Sequence, residues 1–416
     1  MKTAPDSALD SASEESGPRT RMLVIATLGF AVTFWAWALI SPLAPSLASK
    51  LGLSSFQQSL IVAVPVIVGS LGRIPIGALT DRFGGRVMLP IVSVATIVPV
   101  LFLAFFGDQS LAALLIGGFF LGIGGTSFAV GVPFVNAWFP PERRGLAIGI
   151  FGVGMGGTAI SAFTTVRLVD LGSSATPFLV TAAALAIYAV VAWLLLRDAP
   201  GQVRQTTSMA KRVGETLKLS VTWQAAALYA TLFGGYVAFS VYLPSLLKAE
   251  YDLSIADASN RMAGFVILAV IMRPVGGFLS DKVGPVPVLV TCLGAVVIGA
   301  LIDATSPALF PIATVAYLVM AAGLGAGSGA TFALVALLSP AGKVGSVTGV
   351  VGAAGGLGGF VPPLLMGVVY GATGSYTIGF LLLALVAAAV LVFTLTSIRS
   401  VLAKRDAQAA QREVAA

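Results

Sequence analysis

Two stretches decide how this chain folds: Arg73-Ile-Pro-Ile-Gly77-Ala-Leu-Thr-Asp81-Arg82-Phe-Gly84 and Arg273-Pro-Val-Gly-Gly277-Phe-Leu-Ser-Asp281-Lys282-Val-Gly284. They start 200 residues apart, and each carries an aspartate eight residues after its arginine. The same spacing relates Pro140 to Pro340, Gly145 to Gly345, Gly149 to Gly349 and Gly152 to Gly352. Six such pairs, both arginines among them, define a duplicated unit.

The surroundings say what the unit is made of. Of the 416 residues 57% are hydrophobic and only 10% charged, with mean hydropathy +0.98. Soluble domains carry roughly 25% charged residues, so this surface faces lipid. Apolar runs long enough to cross a bilayer, about 20 residues, recur near 22–47, 57–80, 87–106, 109–138, 145–166, 175–196, 223–247, 258–280, 286–305, 309–338, 344–370 and 376–398. The reading is an all-α membrane protein of twelve transmembrane helices in two pseudo-symmetric six-helix halves. Its parts are an N-terminal tail (1–21), a first half (22–197), a basic central loop (198–222), a second half (223–398) and a C-terminal tail (399–416).

Orientation follows from the basic residues, which collect in short cytoplasmic loops. With the N-terminus cytoplasmic, 18 of the 24 Lys and Arg fall in cytoplasmic segments, against four outside: Lys50, Arg167, Lys248 and Arg261. The expectation is a multi-pass protein of the inner membrane with both termini cytoplasmic. The polar start, with Asp6, Asp10, Glu14 and Glu15, is not a signal peptide. The net charge of +7 is thereby a topology signal, and no nucleic-acid partner is expected. A single cysteine, Cys292, and no histidine exclude a disulfide framework and multi-thiolate or imidazole metal sites. Neither a metal nor a cofactor is expected. No nucleophile set marks an enzyme, and the tails and central loop are too short for the signalling domain of a sensor.

The two remaining basic residues, Arg73 and Arg273, lie inside spans. Eight residues of helix put each about 12 Å from its aspartate along the axis, against a hydrocarbon half-thickness of about 15 Å. A charge at that depth costs about 2.5–3.5 kcal/mol on insertion scales. All 17 acidic residues fall in tails, loops or span ends, so no carboxylate is expected at the arginines' depth. Solvation by water, carbonyls and tyrosines is the bland alternative. The functional one is a small oxyanion, whose planar edge suits guanidinium forks.

The stretch Gly77 to Arg86 resembles the loop signature of the major facilitator superfamily, with a degenerate copy at Gly277 to Gly284, and the resemblance covers nearly the whole chain after residue 20. It implies that Asp81, Arg82 and Arg86, with Asp281, clamp helix ends in one conformational state. A narrower resemblance rests on two glycine-rich segments. The first runs Gly122-Ile-Gly-Gly-Thr-Ser-Phe128 and on to Gly149-Ile-Phe-Gly152-Val-Gly154-Met-Gly156-Gly157. The second runs Gly323 to Phe332 and on to Gly349-Val-Val-Gly352-Ala-Ala-Gly355-Gly356. Small residues of this kind also simply pack membrane helices. The segments are similar to signatures of the nitrate/nitrite porter family.

That resemblance implies an anion held between Arg73 and Arg273, with Phe128, Tyr229 and Phe233 lining the pocket and Gly152, Gly156, Gly352 and Gly356 allowing the helices to move. It departs in one place: the asparagine usual in the helix 5 motif is missing, and the nearest, Asn136, ends helix 4. The expected function is alternating-access transport of a small inorganic anion, nitrate or nitrite, with a small organic anion such as formate, oxalate or cyanate as the alternative cargo. Anion exchange is expected, since no histidine, aspartate or glutamate stands at depth in the pathway, and the protein is expected to be a monomer.

Overall fold

The computed structural model describes residues 6–200, 209–340, 344–398 and 400; the side chain of Asp81 and those of Arg143 and Arg144 lie outside the described residues. Among the described residues twelve helices are long and apolar enough to span a membrane. They are α1 (Gly17–Leu51), α2 (Ser55–Gly77), α3 (Gly85–Phe106), α4 (Leu111–Trp138), α5 (Ala147–Leu171) and α6 (Thr176–Leu195), then α7 (Ser220–Tyr251), α8 (Ile255–Val283), α9 (Pro285–Asp303), α10 (Leu309–Leu338), α11 (Val347–Thr373) and α12 (Thr377–Ile398). Between α6 and α7 a short helix, Met209–Thr216, occupies part of the central loop.

Local chemistry sets the helix ends. Ser54 caps α2 in a reciprocal pair with Gln57, while Ser110 and Ser254 cap α4 and α8. The duplication reaches the backbone: Gly84 and Gly284, 200 residues apart, end the helical segments Arg73–Phe83 and Ile255–Val283 with φ of 84° and 86°. A side chain at either position would be strained there.

Burial separates the helices by role. Val98 on α3, Ile187 on α6, Ile298 on α9 and Leu385 on α12 are 68%, 66%, 59% and 64% exposed, on helices apolar enough to face lipid. By contrast, 89% of the most apolar window of α7 is buried, and Tyr229, Phe233 and Tyr236 of that helix are enclosed. In α4 and α5 the helix tightens to 3₁₀ turns at Gly122–Thr126 and Val153–Gly156. These are the glycine motifs, and such mid-helix tightening marks hinges.

The halves meet in the middle and at the end remote from the termini. The Ser41 hydroxyl of α1 donates to the carbonyl of its repeat mate Val241 on α7. Arg167 of α5 donates to Asn260 of α8 at 3.0 Å, and Thr158 of α5 meets Tyr236 of α7 at 3.3 Å. Gly367 and Gly371 of α11 let that helix lie against Ser59 and Ser55 of α2. Nearby, a hydrogen bond from Lys50 holds the Asp108 carboxyl below the usual carboxylate range.

One expectation about the acidic residues is refined. Asp303 does stand at a span end, yet it is only 3% exposed, and neither carboxylate oxygen has a hydrogen-bond partner among the described residues. Its position at the end of α9 predicts contact with water; enclosure by neighbouring helices prevents it.

Candidate functional site

Glycines bring the arginines into the interior. On α8, the Arg273 carbonyl is approached so closely by Gly329 of α10 that a Cβ there would lie 2.0 Å away; Gly276 and Gly325 repeat the fit along the same helix pair. On α2, Gly69 lies against Gly122 and Gly125 of α4 in the equivalent way. The small residues of α4 and α10 thus seat the helices that carry the two cations.

Arg73 is 8% exposed. Its Nη1 donates to the Gly352 carbonyl at 2.8 Å and its Nε to the Gly125 carbonyl at 3.3 Å. Its guanidinium stands 5.2 Å from the centre of the Phe128 ring. Arg273 is partnered differently. Nη2 donates to the Tyr229 hydroxyl at 2.7 Å, and Nη1 touches the Met155 sulfur of α5. The guanidinium faces the rings of Phe233, Tyr229 and Phe332 at 5.4, 5.7 and 5.7 Å. Tyr229 thus meets Arg273 with both its hydroxyl and its ring.

The arrangement is reciprocal across the halves. Arg73 of the first half bonds to Gly352 of the second, while the Arg273 Nε lies 4.0 Å from where a Cβ of Gly152, the first-half mate of Gly352, would stand. Tyr229 and Phe233 stack in parallel, centroids 4.6 Å apart and planes 2° apart. Gly355 is what allows this, since a Cβ there would meet Tyr229 at 2.2 Å.

The structure therefore brings together Arg73, Arg273, Phe128, Tyr229, Phe233, Gly152 and Gly352. Gly356 sits against Ser70 of α2, and Gly156 has open space around it. The loop residues are elsewhere. Arg82 lies against the Phe83 ring, and the Arg86 backbone amide donates to the Asp198 carboxylate at 3.0 Å. Asp281 is exposed, and the clamp role expected of Asp81 falls outside the described side chains.

Four contributors escaped the sequence reading: Phe332, Met155, the Gly125 carbonyl and the Gly352 carbonyl. The repeat mate of Phe128 is Ser328, and Phe332 stands one helical turn beyond it, so a strict offset of 200 misses it. Met155 lies within the quoted glycine motif but carries no charge to draw notice.

Chemically, the site offers two positive charges and a phenol within aromatic walls. No carboxylate partners either arginine among the described residues. Such a centre, midway between two six-helix repeats, defines a secondary transporter for a small anion. The family model described as Major Facilitator Superfamily matches residues 26–260 and 225–415, and the chain belongs to that superfamily, in its nitrate/nitrite porter branch. A Mycobacterium tuberculosis protein named "Probable nitrate/nitrite transporter NarK2" is 47% identical over 91% of this chain and 96% of its own. The Bacillus subtilis "Nitrite extrusion protein" is 36% identical over 88% and 91%. Among solved structures, the human organic anion transporter MFSD10 (TETRAN) superposes with a TM-score of 0.74 at 15% identity, covering 91% of this chain and 99% of that one. A D-xylose-proton symporter does so at 0.71 and 17%, covering 90% and 96%. At those identities the likeness concerns the fold.

Proposed function

We propose that this chain transports nitrate and nitrite across the cell membrane by alternating access, exchanging one anion for the other. The carrying observation is the pair of arginines on repeat-related helices, each set on aromatic faces and neither paired with a carboxylate among the described residues. The names borne by the relatives point to the same anions. Planar oxyanions accept the parallel N–H groups of a guanidinium, and the aromatic rings beside both guanidinium groups keep the surroundings apolar.

With both termini cytoplasmic, as the loop charges favour, the end closed by Ser41–Val241 and Arg167–Asn260 is the outer one. The conformer is then sealed outward. The halves 22–197 and 223–398 rock about the arginines, and the protein works as a monomer, since each chain carries a whole site. Exchange fits a site whose net positive charge is neutralised only when an anion is held: the loaded carrier turns over and the unloaded one does not.

The test is counterflow in proteoliposomes loaded with nitrite, following labelled nitrate. Uptake that requires internal nitrite supports exchange. Uptake that is equal without it, and driven by a proton gradient, contradicts exchange. Absence of nitrate uptake, with formate, oxalate or cyanate moving instead, contradicts the substrate.

A further inference from the structure

The two arginines are not equivalent. Arg73 donates to two backbone carbonyls, Gly352 and Gly125, which are strong acceptors fixed by their helices. Arg273 has a phenol and a thioether, and a thioether sulfur is a weak acceptor. Arg273 is thus the cation with more unmet donor capacity, and the one an anion gains most by meeting. The side chain that stands at its Nη1 is Met155.

Met155 is placed there by particular features. It is 2% exposed and lies in the 3₁₀ turn Val153–Gly156 of α5, between Gly152 and Gly156. It comes from the first half, while Arg273 belongs to the second, so the contact crosses the seam of the molecule. One turn further along α5, Thr158 meets Tyr236 of α7, whose ring is 5.8 Å from that of Phe233. The side chains in direct contact with the Arg273 guanidinium are thus apolar or aromatic apart from the Tyr229 hydroxyl, while the hydroxyls of Thr158 and Tyr236 one turn away are turned to each other.

We propose that Met155 is a specificity-determining residue of this site, an inference that rests on the nitrate/nitrite reading above. A long, unbranched, polarizable side chain adapts to what lies beside it. It covers one edge of the guanidinium without competing strongly for its protons, and it withholds from the anion any neutral N–H or O–H donor on that side. The site then tells anions apart by charge, size and ease of dehydration. Nitrate has a third oxygen that nitrite lacks, and beside Met155 that oxygen finds no donor. The methionine keeps affinity for the two anions close, which is what a nitrate–nitrite exchanger needs.

The experiment measures half-saturating concentrations of nitrate and of nitrite in counterflow for wild type, Met155→Gln and Met155→Leu, each first checked for a wild-type melting temperature. Glutamine has nearly the same length but carries an amide donor; leucine has none. A hydrogen bond to a charged partner shifts the ratio of the two affinities toward nitrate by about tenfold in Met155→Gln. In Met155→Leu the ratio stays within about twofold of wild type, whatever happens to the rate. If Met155→Gln does not fold, Met155→Thr replaces it with the same expectation of a shift toward nitrate. A transporting Met155→Gln or Met155→Thr with an unchanged ratio overturns the proposal. So does a leucine variant that shifts the ratio as far as glutamine. A wild type that carries neither anion instead contradicts the parent reading, and does so before any variant is made.

Discussion

Nη1 of Arg73 donates to the carbonyl oxygen of Gly352 across the seam between the two halves, at 2.8 Å. A backbone carbonyl on a glycine-rich helix is thus one of the groups an incoming anion must replace. On the proposed reading, anion binding at Arg73 would release α11 from this bond. Replacing Arg73 or Arg273 by lysine keeps the charge but removes the planar fork. Each Arg→Lys variant is expected to lose about 1.5–3 kcal/mol of anion binding, tenfold or more in apparent affinity, read from counterflow rates against nitrate concentration.

Tyr229→Phe separates the hydroxyl from the ring. The stack on Phe233 at 4.6 Å persists, while the bond from Arg273 is lost. The donor is a guanidinium, and a hydrogen bond to a charged group contributes about 1.5–3 kcal/mol. Nitrate affinity is expected to fall about tenfold or more with an unchanged melting temperature. A drop in stability with unchanged affinity would make the hydroxyl structural.

Glycine roles divide by what surrounds them. Gly329→Ala drives a methyl into the Arg273 carbonyl, 2.0 Å from the ideal Cβ, and is expected to destabilise by about 1–3 kcal/mol or displace α8 and abolish uptake. Gly149→Ala meets nothing within 4 Å and is expected to leave transport intact, with a slight gain of helix stability. Thermal melting of the solubilised protein beside uptake separates the two.

The end remote from the termini is expected to open during transport. A Cβ at Gly371 would stand 3.7 Å from Ser55 Cβ, within the roughly 3.5–4.5 Å span of a disulfide. Ser55→Cys with Gly371→Cys should cross-link under mild oxidant, stop transport, and recover on reduction. The native Cys292 is buried and does not interfere. Full activity of the cross-linked protein would show that this seam does not open.

Much of this was legible in the chain itself. Helix count and duplication follow from apolar runs and from the spacing of Arg73 and Arg273, because lipid imposes long helices and duplication preserves offsets. The aromatic partners Phe128, Tyr229 and Phe233 were reached through the family resemblance. Contacts across the seam were less legible. Met155 reaches Arg273 over 118 residues of chain, and Gly352 reaches Arg73 over 279, distances at which no local pattern operates. Phe332 escaped because α10 supplies its aromatic one turn away from the repeat position. Asp303 escaped because burial at a helix end depends on what packs over it.

The most direct test of the two-arginine centre is equilibrium binding of labelled nitrate to purified wild type, Arg73→Ala, Arg273→Ala and the double variant. The account predicts one saturable site per chain in wild type. It also predicts that each single variant loses nearly as much binding as the double, because both arginines serve one anion. Normal binding by either alanine variant, or losses that simply add, would contradict a shared site.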